Sequence, residues 1–369
     1  MQILITGGAG FMGSQLAFHL SERGHKIVVM DNLVRRGSEL NLKHFQRRGI
    51  AFVHGDVRNR EDFAALPREI ELLCDTSAQA SAVTGYANPF FDLSNNALGL
   101  VNALEFARQR TLPVIFWSTS RVYSANRVNG IPSEERATRF AWSKEKFRAQ
   151  FGERGLPGFD VEHGFSEEFS VDGGEHSIYG LSKLMADLAC QEYANAFGVK
   201  TVINRFSCVA GAGQFGKSEQ GWVTWWAVAF HFGLPLRYMG YGGKQVRDVV
   251  FAPDVCRLVE LEIETIDRIS GEAFNIGGGT ANALSLLEAS ALLREKTGHD
   301  VAITCDEPRK ADHCIFICDN RKAERVLGWR PSIGISEGYD QILAWVRENE
   351  ADLRELYDEQ GAGRQIPAR

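Results

Sequence analysis

The 369 residues, 44% hydrophobic and 24% charged with 37 glycines, exclude a disordered or fibrous chain. A net charge of −6 gives no long-range attraction to nucleic acid or an anionic membrane, so neither is expected as a partner and any anionic ligand must be met by local donors. No run of about 18 apolar residues is present, and seven scattered cysteines, mostly inside apolar runs, point to a reducing compartment.

The chain opens on "MQILIT" without a basic leader, which adds to the expectation of a cytoplasmic protein. His313, Cys314 and Cys318 match no zinc signature, and no metal is expected. The first strand, 2–6, leads through a glycine loop into a helix-like stretch, 11–23. Apolar runs recur at 26–31, 50–56, 70–75, 113–119 and 200–206, with helical periods at 94–109 and 179–197. Strands apolar on both faces and alternating with helices predict an α/β fold whose mostly parallel sheet is covered on each side.

Residues 124–176, rich in charge and glycine, interrupt this rhythm; so long a stretch reads as a functional excursion rather than a linker. Residues 272–278 read as one more buried strand. Segments 207–244 and 281–369 read as helices and short strands at the carboxyl end of the sheet, with 346–369 a solvated, fraying helix. Trp222, Trp225 and Trp226 fall at helical spacing, which suits a core; a base-stacking platform is the alternative.

"ITGGAGFMGSQL" sets Gly7, Gly10 and Gly13, with Phe11 and Met12 between the last two, where a strand turns into a helix. Glycine lets backbone approach a ligand closely, and the helix start offers unpaired N–H groups to a pyrophosphate. Asp31 ends the second strand, beside Asn32, where a carboxylate accepts ribose hydroxyls and repels a 2′-phosphate; this favours NAD over NADP. Arg35 and Arg36 read either as partners of a 2′-phosphate or as a solvated turn. Asp56, followed by Val57, reads either as an adenine contact or as an ordinary helix cap.

"HSIYGLSK" places Tyr179 four residues before Lys183, on one helix face. A nearby ammonium and an oxidised nicotinamide favour the phenolate, which can take a proton from a substrate alcohol as hydride leaves the same carbon. Lys183 would also hold the nicotinamide ribose, and Thr119, in "FWSTSRVYS", supplies a hydroxyl to the same alcohol. The alternative is an aromatic on the core face with a snorkelling lysine.

In order, "TGGAGFMG", "STSRVY" and "YGLSK" resemble the extended short-chain dehydrogenase/reductase family, the nucleotide-sugar epimerases and dehydratases, over essentially the whole chain. That resemblance implies a doubly wound, mostly parallel Rossmann sheet over 1–206 plus 245–278, and a smaller C-terminal α/β lobe for the nucleotide-sugar over 207–244 plus 279–345. It implies NAD as cofactor and a homodimer or homotetramer. Dehydratases of the family carry Asp-Glu directly after the threonine; here Ser120 and Arg121 stand there, leaving redox epimerisation.

"QFGKSEQGWVTWW", "GKQVRDVV" and "EAFNIGGGTANALSLLE" are further similar to the CDP-paratose 2-epimerases, as is "PSEERATRF". Carried over, Tyr179 is the base, Thr119 its partner, Gln214 a substrate contact, Arg247 and Arg309 the diphosphate ligands, and Asp312 the neighbour of the nucleotide ribose. Arg247 beside Asp248 also reads as a surface ion pair. Asp75-Thr76-Ser77, Ser124 and His313 depart from the subfamily pattern, the first at the dinucleotide cleft and the last at nucleotide or sugar choice. The expected ligand is a nucleotide-diphosphate sugar, a CDP-sugar favoured; the alternatives are a UDP-sugar 4-epimerase and a non-catalytic, NAD-bound regulatory protein.

Overall fold

Runs such as Ile3-Leu4-Ile5 and Val114-Ile115-Phe116 are wholly removed from solvent, as strands covered on both faces require. The computed structural model describes residues 1–361, with side chains to Tyr357. Strands β1 (Gln2–Thr6), β2 (Lys26–Asp31), β3 (Ala51–His54), β4 (Leu72–Asp75), β5 (Val114–Thr119) and β6 (Thr201–Phe206) belong to one sheet. Next come β7 (Cys208–Ala210) and β8 (Val246–Phe251) of a second sheet, then β9 (Glu272–Ile276), which returns to the first; β10 (Ala283–Ser285) and β11 (Ile315–Phe316) complete the second.

The central order is β9-β6-β5-β4-β1-β2-β3, parallel at every pairing. The winding reverses between β1 and β4, which opens a crevice at the carboxyl ends of those strands, where such sheets bind ligands. Two helices, α1 (Phe11–Glu22) and α2 (Gly99–Arg110), cover opposite faces: Leu16 and Leu20 pack with Ile3 and Ile5, whereas Leu100 and Leu104 pack with Leu4 and Leu73. A wider π turn over Leu93–Leu98 precedes α2 and takes up the first part of the predicted 94–109 helix.

Helix α3 (Ile178–Phe197) starts where the Ser177 hydroxyl accepts the Gly180 N–H at 3.0 Å, and it ends at left-handed Gly198. A buried network fixes it to the sheet. Asp187 takes a two-pronged ion pair from Arg205 of β6, at 2.9 Å to each oxygen, and a 2.7 Å bond from Ser118 of β5.

The excursion is folded. Its two short hairpins, 133–135 with 140–142 and 159–160 with 164–165, carry an aromatic core of Tyr123, Phe159, Phe165 and Phe169 against Phe316.

In the second lobe β8 lies between β7 and β10 and also pairs with β11, so this strand, inside the range expected for the nucleotide-binding part, sits outside the central sheet. Helices α4 (Trp222–Phe232), α5 (Ala252–Thr265), α6 (Leu286–Thr297), α7 (Ile335–Glu348) and α8 (Glu350–Gly361) follow in the chain. Trp226 is buried in this lobe's core with Trp222 and Trp225 packed against it, which favours the core reading of all three.

The expected solvated tail is corrected for residues 346–357. Val346, Leu353, Leu356 and Tyr357 are buried, because α8 folds back and Tyr357 donates to the Gly216 carbonyl at 2.7 Å. Residues 362–369 of that segment lie outside the described residues. No helix of the described residues is long and apolar enough to cross a membrane.

Candidate active site

The glycine loop fits a pyrophosphate. Gly7 has φ +64, and a Cβ there would fall 2.5 Å from the Ser77 Cα; a Cβ on Gly13 would fall 2.5 Å from the Gly7 carbonyl oxygen. Gly10 caps α1 without a side-chain acceptor, and the first turn, with Phe11 and Met12, carries no acidic group, so its N–H groups remain open to an anion. Asp31 closes the loop from β2 by accepting the Ala9 N–H at 3.0 Å and the Leu33 N–H at 2.8 Å. Burial pushes its carboxyl up despite these bonds. A carboxylate there meets ribose hydroxyls, and the residues present fit NAD.

Asp56 is not the cap of the short helix that follows, which starts from Asn59. Its carboxylate accepts Asn32 Nδ2 at 2.9 Å and both prongs of Arg58. Burial opposes the charge, but these bonds bring its pKa down to about 2. Val57 is buried against Gly99, whose Cβ would fall 2.7 Å from it. Arg35 meets neither reading offered for it: its guanidinium is bonded to Gln220 and, at 3.1 Å, to the Phe215 carbonyl, tying loop 211–221 to the end of β2.

Tyr179 and Lys183 stand one turn apart on α3, and Thr119 ends β5. The Thr119 hydroxyl neighbours the Tyr179 phenol, whose pKa it lowers, and accepts the Arg121 N–H at 3.3 Å. The Lys183 ammonium, 2% exposed, donates to the Trp117 carbonyl at 2.8 Å and the Ser77 carbonyl at 3.4 Å, over the Phe116 ring. Burial lowers its pKa to about 8 against the opposing charge of Asp75.

The departure at Asp75 is thereby explained. Its carboxylate is buried behind Lys183 and accepts the Thr6 and Ser77 hydroxyls at 2.6 Å each. Burial pushes the Tyr179 phenol up to about 12, and Thr119 and the Arg121 guanidinium pull it back. Asp92, buried with Oδ2 unpartnered and a pKa raised to about 6 by burial, adds its charge to the upward push.

Of the two expected diphosphate ligands, Arg247 shares a carboxylate with Arg121, whereas Arg309 donates to the Ser218 and Glu219 carbonyls. Asp312 Oδ1 accepts Arg121 and Arg247, each at 2.8 Å, so Arg247 is no surface partner of Asp248. Asp248 is itself buried, held by Ser207, by the Gly279 N–H at 3.0 Å and by the Cys318 N–H at 3.1 Å. The two guanidiniums overcome burial and hold the Asp312 carboxyl well below its usual range.

Arg309 donates to the Ser218 carbonyl at 2.8 Å and keeps a buried, unpartnered Nε. Gln214 is engaged at both ends, by the Val209 carbonyl at 3.2 Å and the Thr224 hydroxyl at 2.6 Å, and so anchors the loop to α4. His313 does not reach the cleft: it is 1% exposed and stacks on Phe316, with Nε2 on the Tyr123 carbonyl. Ser124 is likewise fully buried.

Arg121, Tyr179, Arg309 and Asp312 line one small cavity, and Arg309 and Asp312 also line a neighbouring one of about 590 Å³ with Asn126, Asn129 and Tyr241. Sequence reasoning passed over Arg121 as a site residue and did not raise Asp92, Lys310 or Asn126. The signal for Arg121 was its place, two residues after Thr119.

A doubly wound sheet with a glycine cradle at its switch point, and a tyrosine, lysine and threonine beside it, defines a dinucleotide-dependent α/β enzyme. Residues 3–146 and 159–277 match the NAD dependent epimerase/dehydratase family. The CDP-paratose 2-epimerase of Salmonella typhi is 34% identical over 94% of this chain and 99% of its own. Among solved structures, UDP-glucose 4-epimerase from Thermotoga maritima with UDP-glucose is 27% identical with a TM-score of 0.73, over 95% of this chain and 100% of that one. The Thermus thermophilus UDP-glucose 4-epimerase complex with NAD is 25% identical with a TM-score of 0.72, over 94% and 99%. The chain belongs to the NAD dependent epimerase/dehydratase family and is an NAD-dependent nucleotide-sugar epimerase.

Proposed function

We propose that this enzyme inverts C2 of CDP-paratose or a related CDP-hexose by transient oxidation to a ketosugar. NAD, which the glycine cradle, Asp31 and Lys183 would hold, would supply the hydride chemistry for this oxidation and the reduction that follows it. Tyr179 takes the hydroxyl proton onto its phenol oxygen and gives it back, while Thr119 holds the substrate oxygen in line. Lys183, fixed by two carbonyls, directs its ammonium toward the nicotinamide ribose. Arg247 and Arg309 meet the diphosphate with planar forks, and Asp312 orders Arg121 and Arg247 beside it.

The observation that carries the reading is the Tyr179 phenol, with the Thr119 hydroxyl as its neighbour, in a cavity walled by Arg121 and Arg309. Ser120 and Arg121 offer no carboxylate for dehydration. Likeness along nearly the full chain to a CDP-paratose 2-epimerase supports the sugar and the carbon.

The division into an NAD-binding part, 1–206 plus 245–278, and a substrate lobe belongs to this proposal. So do a cytoplasmic location, supported by seven free cysteines, and a homodimer. Leu181, Met185 and Leu188 of α3 are 40%, 47% and 49% exposed and recur on one face, which supports pairing through that helix.

The test is a screen of CDP- and UDP-hexoses with NMR assignment of the product. Inversion at C2 of a CDP-sugar supports the proposal; inversion at C4 of a UDP-sugar replaces it with a 4-epimerase.

A further inference from the structure

Arg121, Arg309 and Lys310 are the cations that wall the two neighbouring cavities, and the first two are already engaged. Arg121 donates to Asp312 Oδ1 at 2.8 Å and to the Ala311 carbonyl at 3.1 Å. Arg309 donates to the Ser218 carbonyl at 2.8 Å and the Glu219 carbonyl at 3.4 Å. Lys310 differs: among the described residues it enters no hydrogen bond or ion pair, and its ammonium rests 5.8 Å from the centre of the Tyr86 ring. That is close to the outer limit of about 6 Å for such a contact. Both side chains are exposed, so water competes for the ammonium and the hold is weak.

The backbone on either side of Lys310 is pinned. Ala311 takes φ +52, in the left-handed region that residues with a Cβ rarely adopt and that persists only where the surroundings impose it. Here Arg121 holds the Ala311 carbonyl, Asn129 Nδ2 donates to the Asp312 carbonyl at 2.8 Å, and Arg309 ties the preceding position to loop 211–221. The Lys310 stem is the part of this turn left free to move.

We propose that Lys310 completes the diphosphate site: it leaves the Tyr86 ring when the nucleotide sugar enters and pairs with a non-bridging diphosphate oxygen beside Arg309. This deepens the function proposed above and rests on its placing of the diphosphate at Arg309. Tyr179 lines the smaller cavity, whereas Arg309 and Lys310 line both. A ligand with its reacting carbon at Tyr179 and its other end in the larger cavity therefore passes these two cations. Arg309 keeps a buried, unpartnered Nε for it, and Lys310 brings three unused donors. A lysine suits the oxygens that a guanidinium fork leaves over, because its point charge on a flexible stem imposes no fixed angle. The carboxylates of Glu219 and Glu175 also line the cavities, and neither is paired with Lys310, so only the ring contact is given up when the lysine turns to an anion.

The test is calorimetric titration of NAD-loaded wild type, K310M and K310R with CDP, at low salt and at physiological salt. Loss of one charge-assisted contact predicts a CDP affinity about tenfold lower in K310M and mostly restored in K310R. Salt is expected to weaken CDP binding to wild type more than to K310M, because the variant has lost one of the charges that salt screens. An unchanged affinity in K310M, or a loss that leaves the salt dependence as in wild type, overturns the proposal. UDP is titrated in parallel: a preference for UDP ends the CDP reading, while the comparison of K310M with wild type still decides the role of Lys310. Conversely, C2 inversion of a CDP-sugar by K310M at the wild-type KM upholds the function and ends the proposal for Lys310. A wild type that binds neither diphosphate ends both.

Discussion

Glu262 of α5 is fully buried, and Asn204 Nδ2 donates to its Oε2 at 3.0 Å. Two acceptors on this pair lack partners, Glu262 Oε1 and Asn204 Oδ1, and a proton on Oε1 supplies the donor that both need. Burial outweighs the amide bond and raises the carboxyl from 4.5 to about 8. The folded protein therefore holds this proton where the unfolded chain has lost it. Its stabilising effect is complete below pH 4.5 and declines as pH rises toward about 8. At about 1.4 kcal/mol per pH unit, the loss reaches about 3 kcal/mol by pH 7 and about 5 kcal/mol above pH 8.

Glu262→Gln removes the titration and keeps both hydrogen bonds, since an amide can donate to Asn204 Oδ1 and accept from Nδ2. Urea unfolding of wild type and variant at pH 5, 6, 7 and 8 reads the difference, in which the carboxyls shared by both proteins cancel. The variant is expected to gain on the wild type by about 1 kcal/mol or more per pH unit across this window. Parallel pH dependences would show that Glu262 ionises at no cost in the fold and would refute the reasoning.

Tyr179→Phe is expected to lower epimerisation by about 10²- to 10⁴-fold while NAD stays bound, measured as turnover and as cofactor content after gel filtration. Asp187→Asn leaves Arg205 with an uncompensated buried charge and removes the tie between α3 and β5; a stability loss of about 3–5 kcal/mol is expected in chemical denaturation. Arg309→Ala removes an unpartnered donor from the cavity, and kcat/KM for the nucleotide sugar is expected to fall about tenfold or more, mainly through KM.

Most strands of the central sheet were legible because both of their faces are buried, so each reads as an unbroken apolar run between turns; β9 was found on the same signal, whereas β3 at the sheet edge is only partly covered. The glycine turn after β1, the helix that carries Tyr179 and Lys183, and the end of β5 at Thr119 were legible because local chain geometry sets each of them. What the sequence did not disclose depends on partners far along the chain. Arg121 meets Asp312 191 residues later, and Arg35 meets Gln220 185 residues later; no local period records such a pair. The second membership of β8 rests on strand pairing, which an apolar run leaves open. Helix α8 looked solvated because its composition is polar, yet Leu353, Leu356 and Tyr357 share one face and bury it against the second lobe.

The most direct test of redox epimerisation is the deuterium content at C2 after turnover of CDP-paratose in deuterated water. Hydride that leaves the sugar and returns from the same bound cofactor never exchanges with solvent, so the account predicts inverted product with no deuterium at C2. Solvent deuterium at that carbon would mean that a proton, not a hydride, is removed, and would contradict the roles proposed for Tyr179 and NAD.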